Sequence, residues 1–245
     1  MQDGKQEEQQ ERGCSIFSIS REDADMDGKQ MAGKKAVDFI EDGMLLGLGT
    51  GSTVYWTLKK LGGRVKEGLR VQGVPTSRQT EELAAEFGIP LLNISQAREL
   101  DLTIDGADEV DRHFNLIKGG GGALLREKMV ASISRKLIIV VDESKTVPVL
   151  GRFPLPVEVV PYGWEVTRRQ ISELGCTPQL RLRDEVPFLT DNGNYILDCR
   201  FAAIEEPQGL SHQLNSIPGV VENGLFVNRT DLVIVGGADG VSIRI

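Results

Sequence analysis

Three stretches of this chain gather the residue types that proton transfer and anion binding require. In Lys118-Gly119-Gly120-Gly121-Gly122, four consecutive glycines follow a lysine. Ordering such a run costs backbone entropy. Its N–H groups, together with Lys118, could hold hydroxyl or oxyanion oxygens; a flexible linker is the plainer alternative, but a helix is expected to follow at once. Arg126-Glu127-Lys128 falls early in that helix, with Glu127 about one turn, roughly 5 Å, beyond the last glycine. A carboxylate between two cations stays ionised, which suits a general base. A solvated Glu at a helix N-terminus would have the same spacing. Upstream, Asp105-Gly106-Ala107-Asp108-Glu109 sets two carboxylates three residues apart in a glycine-containing turn. They could converge on one ligand or merely hydrogen-bond the turn.

A fourth stretch suits an anion. Gly47-Leu48-Gly49-Thr50-Gly51-Ser52-Thr53 joins an expected strand to an expected helix. Such a loop can aim backbone N–H groups and hydroxyls at a phosphate, with the helix dipole adding attraction. It lacks the Gly-Lys-Ser/Thr of a Walker A loop and the third glycine of a dinucleotide fingerprint, and a capped glycine turn would also explain it. Lys145, just past another strand, is a candidate second phosphate contact or a solvated loop lysine. Lys29, at the entrance to the first helix, is a weaker candidate.

The elements that must position these residues read as α/β. Expected strands over 44–48, 69–74, 100–104 and 137–141 alternate with helices over 34–41, after 53, after a capping-box spacing at Thr76 and Gln79, and over 123–134. That rhythm implies a parallel sheet with helices on both sides. From Gly151 it changes. A proline-rich strand, a helix over 164–174, an alternating stretch at 180–183, an Asp191-Asn192-Gly193 turn, a strand over 195–199, a helix near Leu210–Leu214–Ile217 and a final strand give β-α-β-β-α-β, the split ferredoxin-like order. Residues 232–235 return to a buried strand. The expected organisation is a Rossmann-like parallel-sheet domain over 28–150 and 228–245, with a smaller α+β domain inserted at 151–227. Ligands of open α/β sheets bind beyond the carboxyl ends of the strands, where the motifs fall.

Composition narrows the function classes. The net charge is −8, and residues 1–27 hold three Lys/Arg against eight Asp/Glu; this span reads as a disordered acidic arm, not a transit or secretion signal. Without a basic stripe, no nucleic-acid partner is expected. The apolar runs are too short to span a bilayer, so no membrane partner is expected. Cys14, Cys176 and Cys199 lack zinc spacing and form an odd set, which reads as free thiols in a reducing, cytoplasmic setting. The two histidines, His113 and His212, are far apart, so neither a metal nor a cofactor is expected.

Taken together, GLGTGST at 47–53, DGADEVD at 105–111 and KGGGGALLREK at 118–128 resemble the type A ribose-5-phosphate isomerases. Supporting stretches are Asp142-Glu143-Ser144-Lys145, LGRFPLPVEVVP at 150–161, DNGNYILD at 191–198 and IPGVVENGLF at 217–226. The resemblance implies interconversion of ribose 5-phosphate and ribulose 5-phosphate through an enediolate, in a homodimer or homotetramer. It implies catalytic roles for Glu127 as base, with Asp105 and Lys118. It also implies substrate binding by Thr50, Gly51, Ser52, Thr53, Asp105, Gly106, Ala107, Asp108, Lys118, Gly119, Gly120, Gly121 and Lys145, and it places Lys29 where the family often has a phosphate-contacting lysine. A non-catalytic sugar-phosphate sensor, another aldose–ketose isomerase and an amino-sugar deaminase are the competing readings.

Overall fold

The computed structural model describes residues 21–245, with side chains from Gly28 onward. Residues 1–20, most of the expected arm, lie outside the described residues. Helix α1 (Arg21–Ala36) takes in residues 21–27 of the expected arm and begins well before the expected 34–41, which falls instead on the end of α1 and a turn of 3-10 helix at Val37–Phe39. From Gly28 onward, the buried positions of α1 are Gly28, Ala32, Gly33 and Ala36. Such small residues bring the helix close to its neighbours but leave little hydrophobic periodicity to read.

The main sheet has six strands. In chain order they are β1 (Leu45–Leu48), β2 (Gln72–Pro75), β3 (Leu102–Asp105), β6 (Leu137–Asp142), β14 (Leu232–Gly237) and β15 (Gly240–Arg244), in spatial order β15-β14-β6-β3-β1-β2. All neighbours are parallel except β14 and β15. The antiparallel edge strand β15 has no counterpart in the sequence reading, because its side chains are largely exposed. Strands β3, β6 and β14 are buried along their whole length. Their alternate residues enter two cores, as a two-residue period requires: Ile138, Val140 and Ile234 join Leu46, Val54 and Leu58, whereas Ile139, Val141, Val233 and Val235 join Leu116 and Phe226.

Parallel register brings the carboxyl ends together: Leu48 pairs with Ile104, Ile104 with Ile138, and Asp142 with Gly236. From that edge, β1 leads to α2 (Ser52–Lys66) and β2 to α3 (Arg78–Glu86). The N-cap of α3 is Ser77, whose hydroxyl accepts from Thr80 N–H, rather than Thr76. After β3 the chain folds back through short strands β4 (Glu109–Val110) and β5 (Leu116–Ile117) before α4 (Leu124–Ser132).

The second sheet contains β7 (Leu155–Val159), β8 (Thr177–Leu180), β11 (Tyr195–Arg200) and β12 (Val220–Asn223), wholly antiparallel in the order β12-β7-β11-β8. With α5 (Trp164–Ser172) and α6 (Pro207–Asn215) this is the ferredoxin-like arrangement. It encloses its own core around Leu155, Val157, Val159, Ile171, Leu197 and Leu214. An exposed hairpin of β9 (Leu182–Arg183) and β10 (Val186–Pro187) interrupts it. The Asp191-Asn192-Gly193 turn forms, but β11 after it pairs with β7 and β8 rather than with the strand just before the turn. Finally β13 (Leu225–Phe226) adds to the β4–β5 hairpin.

Candidate active site

Asp105 is the last residue of β3 and is 1% exposed. Its Oδ1 accepts from the N–H of Thr50 at 3.0 Å and of Gly106 at 2.8 Å. The β1–α2 loop can approach this closely because position 49 is glycine; a Cβ there would collide with the Asp105 carboxylate. The β4–β5 hairpin then carries Lys118 back over Asp105, held by the Asp108 N–H to Ile117 O bond of 2.8 Å. Lys118 Nζ stands 3.1 Å from Asp105 Oδ2 and 3.2 Å from Glu127 Oε1, and donates to Gly106 O at 2.5 Å. The ammonium is hydrogen-bonded to one carbonyl and ion-paired with two carboxylates. The Phe226 ring lies beneath, 5.5 Å from Nζ to its centroid.

Glu127 sits in the first turn of α4 and is 4% exposed. Its Oε2 is buried without any hydrogen-bond partner among the described residues. The flanking cations expected to keep it ionised point elsewhere. Arg126 donates to Asn192 Oδ1 at 3.0 Å and Asp191 O at 3.1 Å, and Lys128 donates to Glu222 Oε1 at 2.8 Å and Asn223 O at 2.6 Å. Successive helical residues are rotated about 100°, so neighbours in sequence face different surroundings. Burial raises the Glu127 carboxyl to about 8, with Lys118 opposing and the Asp105 charge adding to the rise. Burial also raises Asp105, against the pull of Lys118. The Lys118 ammonium is depressed by burial, but the two carboxylates outweigh that and its net shift is upward.

One cleft collects Thr50, Gly51, Ser52, Thr53, Gly106, Ala107, Asp108, Lys118, Gly119, Gly120, Gly121, Glu127 and Lys145, together with Lys29. Gly51 has φ 122°, a conformation for glycine, and frees the first turn of α2 to face the cleft. The N–H groups of Ser52 and Thr53 have no protein acceptor among the described residues, as expected for a helix N-terminus. Lys145 closes a 3-10 turn after β6, capped by Asp142. Lys29 lies within α1, not at its entrance, and its Nζ is 3.9 Å from Asp142 Oδ2. Asp108 Oδ2 accepts from Gly120 N–H at 2.7 Å, tying the aspartate turn to the glycine run. This cleft can therefore hold an anionic group at the α2 N-terminus and present a carboxyl and an ammonium to atoms a few ångströms away.

Some contributors are absent from the sequence reading. The Thr50 hydroxyl lies among Thr76 Oγ1 and Ser77 Oγ, both at 2.8 Å, and Thr80 Oγ1 at 3.1 Å. Thr80 in turn donates to Gly49 O at 2.8 Å and Thr76 to Leu48 O at 3.0 Å. This buried hydroxyl cluster braces the β1–α2 loop. Its signal was available, since Thr76-Ser77-x-x-Thr80 follows β2 at the same carboxyl edge. Arg181 also contacts the site, from the second sheet, and nothing local in sequence marks it. Both histidines are exposed. Among the described residues no cluster of three or more His, Cys, Asp or Glu is arranged to hold a metal ion, and no helix is long and apolar enough to cross a membrane.

The family model of ribose 5-phosphate isomerase A (phosphoriboisomerase A) matches residues 72–240. The ribose-5-phosphate isomerase A of Bacillus mycoides is 54% identical over 217 residues, covering 88% of this chain and 98% of its own length. That of Cereibacter sphaeroides is 56% identical over 225 residues, covering 88% and 90%. Among solved structures, a D-ribose-5-phosphate isomerase in complex with phospho-erythronic acid aligns with a TM-score of 0.86 at 43% identity, covering 88% of this chain and 96% of that one. Ribose 5-phosphate isomerase A from Methanocaldococcus jannaschii aligns with a TM-score of 0.85 at 42% identity, covering 92% and 99%.

Proposed function

This chain belongs to the ribose 5-phosphate isomerase A family and interconverts ribose 5-phosphate and ribulose 5-phosphate, and we propose that Glu127 is the base that carries the proton between C2 and C1. The observation that carries this reading is the Glu127 carboxyl itself: buried, raised to about 8, and with one oxygen unpartnered in the cleft. A base whose pKa lies near the working pH can both take and return a proton.

In the direction from aldose to ketose, Glu127 removes the C2 hydrogen as a proton. The electron pair forms the C1–C2 double bond and charge moves onto O1. Lys118 and the glycine-loop N–H groups stabilise that enediolate oxygen. Asp105 passes the O2 proton to O1, C2=O forms, and Glu127 returns its proton to C1. Lys118 is hydrogen-bonded to Gly106 O and only ion-paired with Glu127, so it can donate to the sugar oxygens while Glu127 reaches carbon. Thr50–Thr53, Lys145 and Lys29 hold the phosphate, so that binding energy at the unreactive end orients C1 and C2.

The test is Glu127→Gln, measured on both sugars after chelator treatment. The expected result is a loss in kcat of about 10³-fold with a phosphosugar analogue still bound within a few-fold of wild type. Near-normal turnover would remove Glu127 from the role of base.

We also propose the division into a main domain at 28–150 and 228–245 and an inserted one at 151–227, supported by two distinct core clusters, the second of which takes in Ile117, Val147 and Leu150 from the main-domain segment. A homodimer or homotetramer is supported by the exposed apolar Leu182, Val186 and Leu189. A cytoplasmic location is supported by the free thiols of Cys176 and Cys199.

A further inference from the structure

Four residues without Cβ leave each peptide plane of the glycine loop free to rotate, so the contacts that hold those planes decide what the loop presents. Lys118 N–H donates to Gly224 O at 2.9 Å, and Gly122 N–H closes a turn on Gly119 O at 2.9 Å. Gly120 N–H is held by Asp108. The carbonyls are held from outside the main sheet. Arg181, between β8 and β9, donates Nη1 to Gly119 O at 2.9 Å and to Gly120 O at 3.0 Å. The rest of its guanidinium is forked on Asp198 of β11: Nε to Oδ2 at 2.9 Å and Nη2 to Oδ1 at 2.5 Å. The Arg181 backbone is fixed as well, its N–H on Ile196 O and its carbonyl accepting from Phe188 N–H, both at 2.9 Å.

A trans peptide is planar, with C=O and N–H on opposite sides. Holding Gly119 O on Arg181 therefore turns the Gly120 N–H toward Asp108. Holding Gly120 O on Arg181 turns the Gly121 N–H away from Arg181. That N–H has no protein acceptor among the described residues, and Gly121 lines the cleft. Were the Gly120–Gly121 peptide to flip, a carbonyl oxygen would face the place where negative charge develops.

We propose that Arg181, steered by Asp198, is a positioning residue that keeps the Gly121 N–H directed into the cleft as a donor to the enediolate oxygen. Arg181 touches no reacting atom; it acts through two peptide planes. The inference rests on the reading of the glycine loop as an oxyanion cradle. It gives the second sheet a part in the chemistry, since Asp198 belongs to its β11 and Arg181 directly follows its β8.

The experiment compares Arg181→Ala, Arg181→Lys and Gly121→Pro in the full chain. Loss of one preorganised oxyanion donor lowers kcat by about 10²-fold, so R181A is expected to lose about that factor with KM within about threefold of wild type. R181K keeps a cation beside Asp198, but a single ammonium cannot reproduce the fork and reach both carbonyls. It is expected to lose at least about tenfold in kcat, with an unchanged melting temperature, and it carries the test if R181A does not fold. Wild-type kcat in a folded Arg181 variant, or a rise in KM alone, overturns the proposal. G121P removes the N–H itself. If G121P loses kcat and the Arg181 variants do not, the Arg181 inference alone fails. If G121P turns over like wild type, the cradle reading fails and the role of Arg181 falls with it.

Discussion

The ammonium of Lys118 lies 3.2 Å from one oxygen of the Glu127 carboxyl, while the other oxygen of that carboxyl is buried with no partner among the described residues. One oxygen is thus anchored and the other carries no hydrogen bond, which is the asymmetry a proton carrier needs. The anchoring cation is shared with Asp105, so two carboxyls compete for one positive charge in a water-poor site. Burial then raises both carboxyls, and Glu127 to about 8.

That raised value sets a pH dependence. The base form of Glu127 in the free enzyme grows as pH rises through about 8. The expected kcat/KM for ribose 5-phosphate therefore climbs about tenfold per pH unit below that value and levels off above it. Initial rates between pH 6 and 9.5 check this, and a flat profile over that range is incompatible with the assignment.

The same shift acts on stability, with a definite sign. The folded state holds the Glu127 proton more tightly than the unfolded chain, whose reference is 4.5. That contribution is fully present below pH 4.5 and is lost as pH rises through about 8. Glu127→Gln carries no such titration. Its stability is expected to gain on wild type steadily from pH 5 to 8, on the order of 1 kcal/mol per pH unit. Parallel melting curves at each pH decide it; a gap that does not change with pH contradicts the buried, protonated carboxyl.

Phosphate recognition separates from chemistry. Ser52 presents an unpaired N–H and a hydroxyl at the start of α2, and Lys145 faces the same cleft. Ser52→Ala and Lys145→Ala are expected to raise KM for ribose 5-phosphate by roughly tenfold each, the loss of one charge-assisted hydrogen bond. The affinity for unphosphorylated ribose should not change. Steady-state kinetics and competition by inorganic phosphate measure both arms, and an unaltered KM in either variant takes that residue out of the phosphate site.

Gly49→Ala probes the approach of the β1–α2 loop to β3. The added methyl meets the Asp105 carboxylate, where there is no room. Overpacking of this kind costs about 1–3 kcal/mol, and it also displaces Asp105 from Lys118 and from the Thr50 N–H. A combined fall in melting temperature and kcat is expected; full activity at wild-type stability would show that the contact is not needed.

Much of this was legible from residue order, because the informative features are local. The glycine run, the aspartate turn and the Gly-Thr-Gly-Ser-Thr loop announce themselves by type and spacing. Alternating buried strands and helices placed the aspartate turn and the Gly-Thr-Gly-Ser-Thr loop at one sheet edge, whereas the β4–β5 hairpin brings the glycine run there. Less legible were features that depend on direction. Arg126 and Lys128 flank Glu127 in sequence yet serve Asp191, Asn192 and Glu222 in space. Helix α1 was missed over most of its length because, from Gly28 onward, its buried positions are glycine and alanine. Strand β15 was missed because an exposed edge lacks the apolar run that marks its neighbours.

By itself, the sequence determined the α/β class, the ferredoxin-like order of the second sheet and the family to which the chain belongs. Those follow from periodicity and from motifs a few residues long. Only the tertiary structure decided that Lys118 joins Asp105 and Glu127, that Glu127 is raised rather than kept ionised, and that Arg181 holds the glycine loop from another sheet. Each of those depends on burial and on distances between segments far apart in the chain. Desolvation and charge coupling act through space, and residue order does not record them.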